Sequence, residues 1–341
     1  MVGVLPTFYD QYVLETTKAD AVILGEGEQV FVELLDAIEN GKSKRGIANL
    51  TFKEDGNIYR NGFEEYKEFL DYGTPAYDLV PEEMYFNVPV ETSRGCKFHC
   101  EFCSILDAYN WRGLDATTAI NRIEQASKLT GTVSLFDSVY LVDNCFTADI
   151  NRATEILKNI TYNDKNYSLH FEARCTDILK KNEKFLDAIN PSRISTIQIG
   201  VECGYNEGLK KIRKALTTDM IVECLENLQK KDLAKKTLLS FIIGFPWETR
   251  EECIKTIEFA KSLEERFGAV IGLNWWLPLK SSMTDNVAKY GINIHPKVYD
   301  DPLWANNFEF LRSAYKSLKI EDFDYLGTKY NKYVTNLVDM V

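Results

Sequence analysis

The chain has 341 residues, which allows about two domains at the usual ~100 to 200 residues each. Its hydrophobic content of 45% and charged content of 27% indicate a folded protein, and its net charge of -11 disfavours nucleic acid as a partner. No apolar run approaches the ~18 residues of a membrane span, and the N-terminus carries no signal-peptide pattern. We therefore expect a cytoplasmic protein without a membrane partner.

The N-terminal region reads as a small α/β unit followed by a linker. Residues 20–40 predict a strand, a tight Gly-Glu-Gly-Glu turn at 25–28 and an amphipathic helix. A glycine-rich turn before a helix could hold a phosphate, but two glutamates would repel it. Residues 47–60 predict a β-hairpin around Asp55 and Gly56, and a proline-containing linker places the domain boundary near residue 81.

Strands and helices then alternate. Helices are expected at 182–189, 206–216 and 250–267, with Asp149, Asn206 and Thr249 as N-caps, and the basic run at 210–214 is expected on a solvated helix face. Six βα units predict a parallel sheet curled into an open barrel, with chemistry at the carboxyl ends of its strands. The strands are expected at 88–92, 139–142, 169–173, 196–201, 238–243 and 270–277.

A cysteine array follows the first barrel strand. Cys96, Cys100 and Cys103 have the spacing CxxxCxxC, whereas the other five cysteines are scattered singly. Three thiolates can ligate three irons of a cubane cluster and leave the fourth iron open to another ligand. Zinc is the alternative, but it needs four ligands, and His99 in the same short loop could not easily complete a tetrahedron.

This array resembles the signature of the radical SAM superfamily. The resemblance implies an α/β fold with a partial (β/α)6 barrel, a 4Fe-4S cluster held by Cys96, Cys100 and Cys103, and S-adenosylmethionine (SAM) bound to the open iron. It also implies that the aromatic residue before the last cysteine, Phe102, lies beside the adenine.

The resemblance extends to four strand ends. Asp143 and Asn144 would hold the SAM ammonium, although they could instead cap a loop. Arg174 would bind the SAM carboxylate in a bidentate manner, and the alternative is an ion pair with Glu172. By the same resemblance, Glu202 in the run 200–204 would contact the ribose or the amino acid end of SAM. Backbone groups near Ile242 and Gly244, at the end of the fifth strand, would contact the adenine.

Three further cysteines follow barrel strands. Cys145, Cys175 and Cys203 come after the second, third and fourth strands, so all three could face the SAM pocket. A lone cysteine is most often a small buried hydrophobe. Three at one rim could instead donate a hydrogen atom to a substrate radical, and Cys203 is the first candidate because the family commonly has serine there.

The two ends of the chain complete the expected domain plan. Residues 20–28 resemble the last strand and turn of a cobalamin-binding domain, but about twenty residues precede them and none is histidine. We therefore expect residues 1–80 to be a truncated region that does not bind cobalamin on its own. The core barrel would span 81–280, and the helical extension 281–341, rich in aromatics such as Trp304, Phe308 and Phe310, would cover the barrel opening.

The resemblance implies an enzyme that cleaves SAM reductively to a 5'-deoxyadenosyl radical and abstracts hydrogen from a substrate. A ribosomally made peptide is the expected substrate, to be epimerised, crosslinked or excised, with a separate leader-recognition protein as a possible partner. Reduced flavodoxin or ferredoxin would supply electrons. One alternative is methylation or rearrangement of a small metabolite. A second, of another class, is a non-catalytic iron-sulfur redox sensor.

Overall fold

The computed structural model describes residues 1–65, 72–104, 110–160, 167–179, 182–293 and 317–334. Its N-terminal unit is a three-stranded antiparallel sheet in the order β1-β2-β3. The predicted hairpin is confirmed: Asp55 and Gly56 have φ of 49° and 77°, the primed turn that suits the twist of paired strands. The elements are α1 (Val4–Phe8), α2 (Asp10–Thr16), β1 (Ala21–Ile23), α3 (Glu28–Glu39), β2 (Leu50–Glu54) and β3 (Asn57–Arg60).

The main sheet has six parallel strands, which confirms the predicted α/β fold. Every expected barrel strand is present, and the strands neighbour one another in chain order, apart from a two-stranded hairpin, β5 and β6, that flanks the cysteine loop. The strands are β4 (Val88–Val90), β5 (Ser93–Arg94), β6 (Arg112–Gly113), β7 (Ser138–Leu141), β8 (Ser168–Ala173), β9 (Ile194–Glu202), β10 (Thr237–Ile243) and β11 (Val270–Trp275).

Helices cover one face of this sheet, and the hydrophobic core lies between that face and the helices. Side chains such as Leu141, Phe171 and Ile199 are fully buried beneath them, while alternate residues of the same strands line the barrel interior. No helix in the described part of the chain is long and apolar enough to cross a membrane. The helices are α4 (Ala116–Ser127), α5 (Ile150–Asn159), α6 (Glu183–Ala188), α7 (Asn206–Lys211), α8 (Thr218–Gln229) and α9 (Arg250–Phe267).

Two of the three predicted N-caps are confirmed. The side chain of Asp149 accepts hydrogen bonds from two backbone amides of α5, and Thr249 forms a capping box with Glu252 at the start of α9. Asn206 was wrongly predicted to cap its own helix. Its side chain instead accepts a hydrogen bond from the backbone of Thr218, which starts the next helix, α8.

The described C-terminal residues pack at two places. The helices are α10 (Ser282–Asp285), α11 (Val287–Tyr290) and α12 (Ile320–Lys329). The backbone of Met283 donates to the carbonyl of Glu101 in the cysteine loop, so α10 lies against that loop. Phe323 of α12 is buried, with its ring 4.9 Å from that of Trp275 at the end of β11. Trp304, Phe308 and Phe310, expected to cover the barrel opening, lie outside the described residues.

A cluster of charges joins the N-terminal unit to the barrel. Arg94 in β5 contacts Glu26 at 2.9 Å, Glu28 at 2.5 Å and Glu91 at 2.7 Å, and Arg112 in β6 also pairs with Glu26. The two glutamates of the glycine-rich turn therefore serve as partners for arginines of the barrel.

Candidate active site

The three cysteines of the CxxxCxxC array lie together in the loop between β5 and β6. The backbone amide of Cys103 donates to the carbonyl of Cys100 at 3.1 Å, which gives the loop a tight turn. None of the eight cysteines, all of which lie in the described ranges, is in a disulfide. No three His, Cys, Asp or Glu side chains in the described ranges converge on a single metal ion. A cubane cluster takes each thiolate on a different iron, so its ligands need no such convergence.

Arg174 lies against this loop at the end of β8. Its Nη1 is 3.8 Å from Sγ of Cys100, and its guanidinium lies 3.7 Å from the centre of the Phe98 ring. Its Nη2 donates to the carbonyl of Lys214, and its Nε is buried without a hydrogen-bond partner in the structure. Arg174 is therefore not committed to Glu172, and it retains a buried donor for an anionic ligand.

Glu202 and Lys214 form a buried ion pair beside the same loop. The Nζ of Lys214 is 2.9 Å from Oε1 of Glu202, and both side chains are about nine-tenths buried. A Cβ on Gly200 would come within 2.9 Å of that ammonium, so glycine leaves room for the pair. Burial lowers the pKa of Lys214, but Glu202 and Cys100 act in the opposite direction and the net pKa is raised.

The backbone brings this pair inward. β9 carries a bulge opposite β10 at this point, and Glu202 has φ of 73°, a conformation that residues other than glycine rarely adopt. The helix predicted over 206–216 ends at Lys211, after which Arg213 and Ala215 also take positive φ. The prediction of a solvated face is confirmed for Lys210, Lys211 and Arg213, which are exposed, and is wrong for Lys214, which turns into the site.

Asp143 organises the entrance to the cysteine loop. Its buried carboxylate accepts hydrogen bonds from the backbone amides and hydroxyls of both Thr92 and Ser93, at 2.6 to 2.9 Å. This contact supports the loop-capping alternative for Asp143. Asn144 is only half-buried and lines a neighbouring cleft, so its amide remains available to a ligand.

The loop after β10 forms the opposite wall. Gly244 has φ of 77°, and the next residue, Phe245, meets the ring of Phe102 edge to face with centroids 5.9 Å apart. Beneath this loop the fully buried Glu248 accepts from the backbone of Phe245 at 3.0 Å and from the hydroxyl of Tyr205 at 2.9 Å. Burial raises the pKa of Glu248 to about 7. The role of Glu248 was not predicted from the sequence, where the signal for it is a glutamate directly after the strand-end turn.

The second group of cysteines does not share one pocket. Cys175 is fully buried against Cys224 of α8, and Cys203 is fully buried next to Gly208 of α7 and Cys253 of α9. The expectation that all three thiols face the SAM pocket is corrected for these two, because both lie in the layer between sheet and helices. Cys145 is also buried, 3.5 Å from the hydroxyl of Thr147, and burial raises its pKa to about 12.

A cleft of about 680 Å³ lies between the N-terminal unit and the cysteine loop. One wall is the glycine-rich turn with Phe8 and Phe31, and the other includes Arg94, Gly95 and Asn144. Its volume is within the range of small-molecule sites.

The residues present fit a 4Fe-4S cluster and SAM. Burial raises the pKa of Cys96, while the positive charges of Arg174 and Lys214 act to lower it. These two side chains would therefore stabilise the thiolates that hold a cluster. The unpartnered Nε of Arg174 suits a carboxylate, and the buried Glu202–Lys214 pair offers further polar atoms beside it.

Comparison with known proteins gives the same assignment. Residues 90–260 match the model of the Radical SAM superfamily. An uncharacterized methyltransferase of Pyrococcus horikoshii is 35% identical over 254 residues, 72% of this chain and 53% of the relative. The anaerobic magnesium-protoporphyrin IX monomethyl ester cyclase of Rubrivivax gelatinosus is 27% identical over 272 residues, 76% of this chain and 48% of the relative. The chain thus spans about half the length of these curated relatives.

Solved structures share the fold. The methyltransferase TsrM from Kitasatospora setae, with cobalamin and a 4Fe-4S cluster bound, has a TM-score of 0.65 at 16% identity, over 84% of this chain and 57% of that one. The cobalamin-dependent enzyme OxsB has a TM-score of 0.62 at 17% identity, over 98% of this chain and 48% of that one. The chain is an enzyme whose cofactors are a 4Fe-4S cluster and SAM. The family match, the cysteine loop and the six-stranded parallel sheet together show that it belongs to the radical SAM superfamily.

Proposed function

We propose that this chain methylates or rearranges a small molecule at a carbon atom by radical SAM chemistry. The observation that carries the proposal is the buried set of Arg174, Glu202 and Lys214 beside the cluster cysteines, next to a cleft of small-molecule size. Similar proteins include methyltransferases, a porphyrin cyclase and a hopanoid methylase. The peptide substrate expected from the sequence has no support among them.

The chain's own residues bind, orient and exclude water. Cys96, Cys100 and Cys103 would hold the cluster, Arg174 would bind the SAM carboxylate, and Glu202 the ribose or amino acid end. When bound, the cluster and SAM supply a primary carbon radical that removes a hydrogen atom from an unactivated C–H bond. The edge-to-face pair of Phe102 and Phe245 would flank the adenine and keep water from it.

Partners follow from the same chemistry. A reduced flavodoxin or ferredoxin is proposed as the electron donor. The redox-sensor alternative is disfavoured because a structural cluster gives no purpose to a buried Glu202–Lys214 pair or to a free donor on Arg174.

Isotope transfer tests the proposal. The anaerobically reconstituted protein is reduced with dithionite and given SAM carrying a 13C-methyl group, together with a cell extract split by ultrafiltration into small-molecule and peptide fractions. We expect methyl transfer, or 5'-deoxyadenosine formation above the level reached without extract, to depend on the small-molecule fraction. Dependence on the peptide fraction alone would restore the peptide substrate. A variant with all three cluster cysteines changed to alanine is the control.

A further inference from the structure

Three neighbouring strands give part of this barrel's interior a polar lining. Parallel barrels usually fill this space with bulky branched side chains. Here β7, β8 and β9 direct Tyr140, His170, Glu172 and Gln198 inward, while their neighbours in sequence are buried under the helices. Tyr140 is directly opposite His170 in the strand register, and Glu172 is opposite Gln198. A polar group of this kind inside a barrel suggests chemistry rather than packing.

These four side chains form one network. The hydroxyl of Tyr140 donates to Oε1 of Glu172 at 2.9 Å, and Nε2 of Gln198 lies 3.4 Å from the same oxygen. The ring of Tyr140 stacks on that of His170 with centroids 4.2 Å apart, and Nε2 of His170 is buried without a hydrogen-bond partner in the structure. The hydrogen bond to Glu172 and the stacking on His170 therefore hold the phenol of Tyr140 in one position.

The network lies directly below the site described above. Glu172 is two residues before Arg174, and Lys214, Glu202 and Asp143 all act on its charge. Burial raises the pKa of both Glu172 and Tyr140, so the phenol keeps its hydrogen. No described barrel strand contains a cysteine, and Cys175 and Cys203, which follow β8 and β9, point into the helix layer.

We propose that Tyr140 is the hydrogen-atom donor of the barrel interior and quenches the adenosyl radical whenever no substrate captures it. This rests on the proposed function. Phenolic O–H bonds are weaker than primary C–H bonds, whereas the O–H bonds of water are stronger, so Tyr140 can react where water cannot. The role expected of Cys175 and Cys203 thus passes to a phenol.

The step balances in two parts. First the O–H bond of Tyr140 breaks as a C–H bond forms at the 5' carbon, which releases 5'-deoxyadenosine and leaves a neutral tyrosyl radical. That radical then takes one electron from the low-potential donor that reduces the cluster and one proton through Glu172. Tyr140 is restored, and the protein avoids damage at its backbone.

Uncoupled SAM cleavage in deuterated water tests this step. The phenolic hydrogen exchanges with solvent, so the reconstituted wild type, treated with dithionite and SAM without substrate, should form 5'-deoxyadenosine that carries one deuterium. Tyr140→Phe should lose that label. Tyr330→Phe is the matched control, because Tyr330 donates to Glu258 at the same 2.9 Å on the outer helix layer, and Cys145→Ala tests the remaining thiol.

A second readout does not depend on product. Freeze-quenched samples should show a tyrosyl signal by electron paramagnetic resonance that narrows with ring-deuterated tyrosine, is absent in Tyr140→Phe, and persists longer in Glu172→Gln. Cluster absorbance and SAM affinity establish that each variant is folded. Unchanged labelling in Tyr140→Phe, or unlabelled product from the wild type, overturns the inference alone. Absence of any 5'-deoxyadenosine without substrate also overturns the inference, whereas the proposed function fails only if the small-molecule fraction drives neither SAM cleavage nor methyl transfer.

Discussion

The Nζ of Lys214 and Oε1 of Glu202 lie 2.9 Å apart, and both side chains are about nine-tenths buried. Removing one partner of a buried pair leaves the other charge uncompensated, which costs about 3–5 kcal/mol. Lys214→Met should therefore lower the free energy of unfolding of the apo-protein by that amount, and the double variant Lys214→Met with Glu202→Gln should recover much of it. Urea unfolding measures both. Equal losses in the single and double variants would contradict the pairing.

The cluster gives the second prediction. Reconstituted protein should bind about four irons per chain through Cys96, Cys100 and Cys103, as one cubane cluster requires. Changing all three to alanine should abolish iron binding and SAM cleavage together. Iron analysis and the absorbance in the region of about 400 nm measure this, and both should correspond to about one cluster per chain. Twice that iron content in the wild type would indicate a second cluster and contradict the prediction.

Cobalamin should not bind to this chain alone. β1 pairs with β2 in an antiparallel sheet, and no histidine occurs before His99, so the N-terminal unit offers no histidine ligand for cobalt. After incubation with hydroxocobalamin and gel filtration, the corrin absorbance should separate from the protein. Co-elution near one equivalent would show instead that the cleft beside the glycine-rich turn accepts the cofactor without histidine.

Glu248 should make stability depend on pH. Burial raises its folded pKa to about 7 from the ordinary 4.5, so the folded protein holds a proton that the unfolded chain releases. Stability should then fall as pH rises from about 4.5 to about 7, by roughly 3 kcal/mol, and stay level above that. Glu248→Gln should remove this slope. Denaturant unfolding of the apo-protein across this range is the measurement, and parallel slopes would contradict the assignment.

Cys175 and Cys203 should affect packing rather than chemistry. Both are fully buried in the layer between sheet and helices, so replacing either with alanine opens a small cavity. We expect each variant to lose about 1 kcal/mol of stability and to leave the deuterium content of 5'-deoxyadenosine unchanged. Loss of solvent label in either variant would return that thiol to the reaction.

The barrel could be predicted from the sequence because its signals are local. Each strand is a short apolar run bounded by polar residues. The start of α9 is indicated by Thr249 and Glu252, a capping-box pattern contained within four consecutive residues. Lys214 could not be placed this way. Its direction depends on positive φ at Arg213 and Ala215, which the pattern of charges does not reveal.

The same limit applies at the strand ends. Arg174, Glu202 and the Gly244 loop each follow a strand, and this position correctly predicts that they lie at one edge of the sheet. Their contacts with SAM stay predictions. It does not tell which way a side chain turns once the strand has ended. Asp143 turns back to Thr92 and Ser93, and Cys203 turns outward to the helices, because the donors and apolar surfaces that attract them come from distant parts of the chain.

The contact of Arg94 with Glu26 and Glu28 limits how this protein can be divided. Arg94 is two residues before Cys96, so the ion pairs tie the N-terminal unit to the first cluster ligand. A barrel expressed without residues 1–60 would leave Arg94 and Arg112 without their N-terminal carboxylates, close to the cysteine loop. Domain dissection at the apparent boundary would thus alter the charge around the cluster, and the two units are best treated as one functional module.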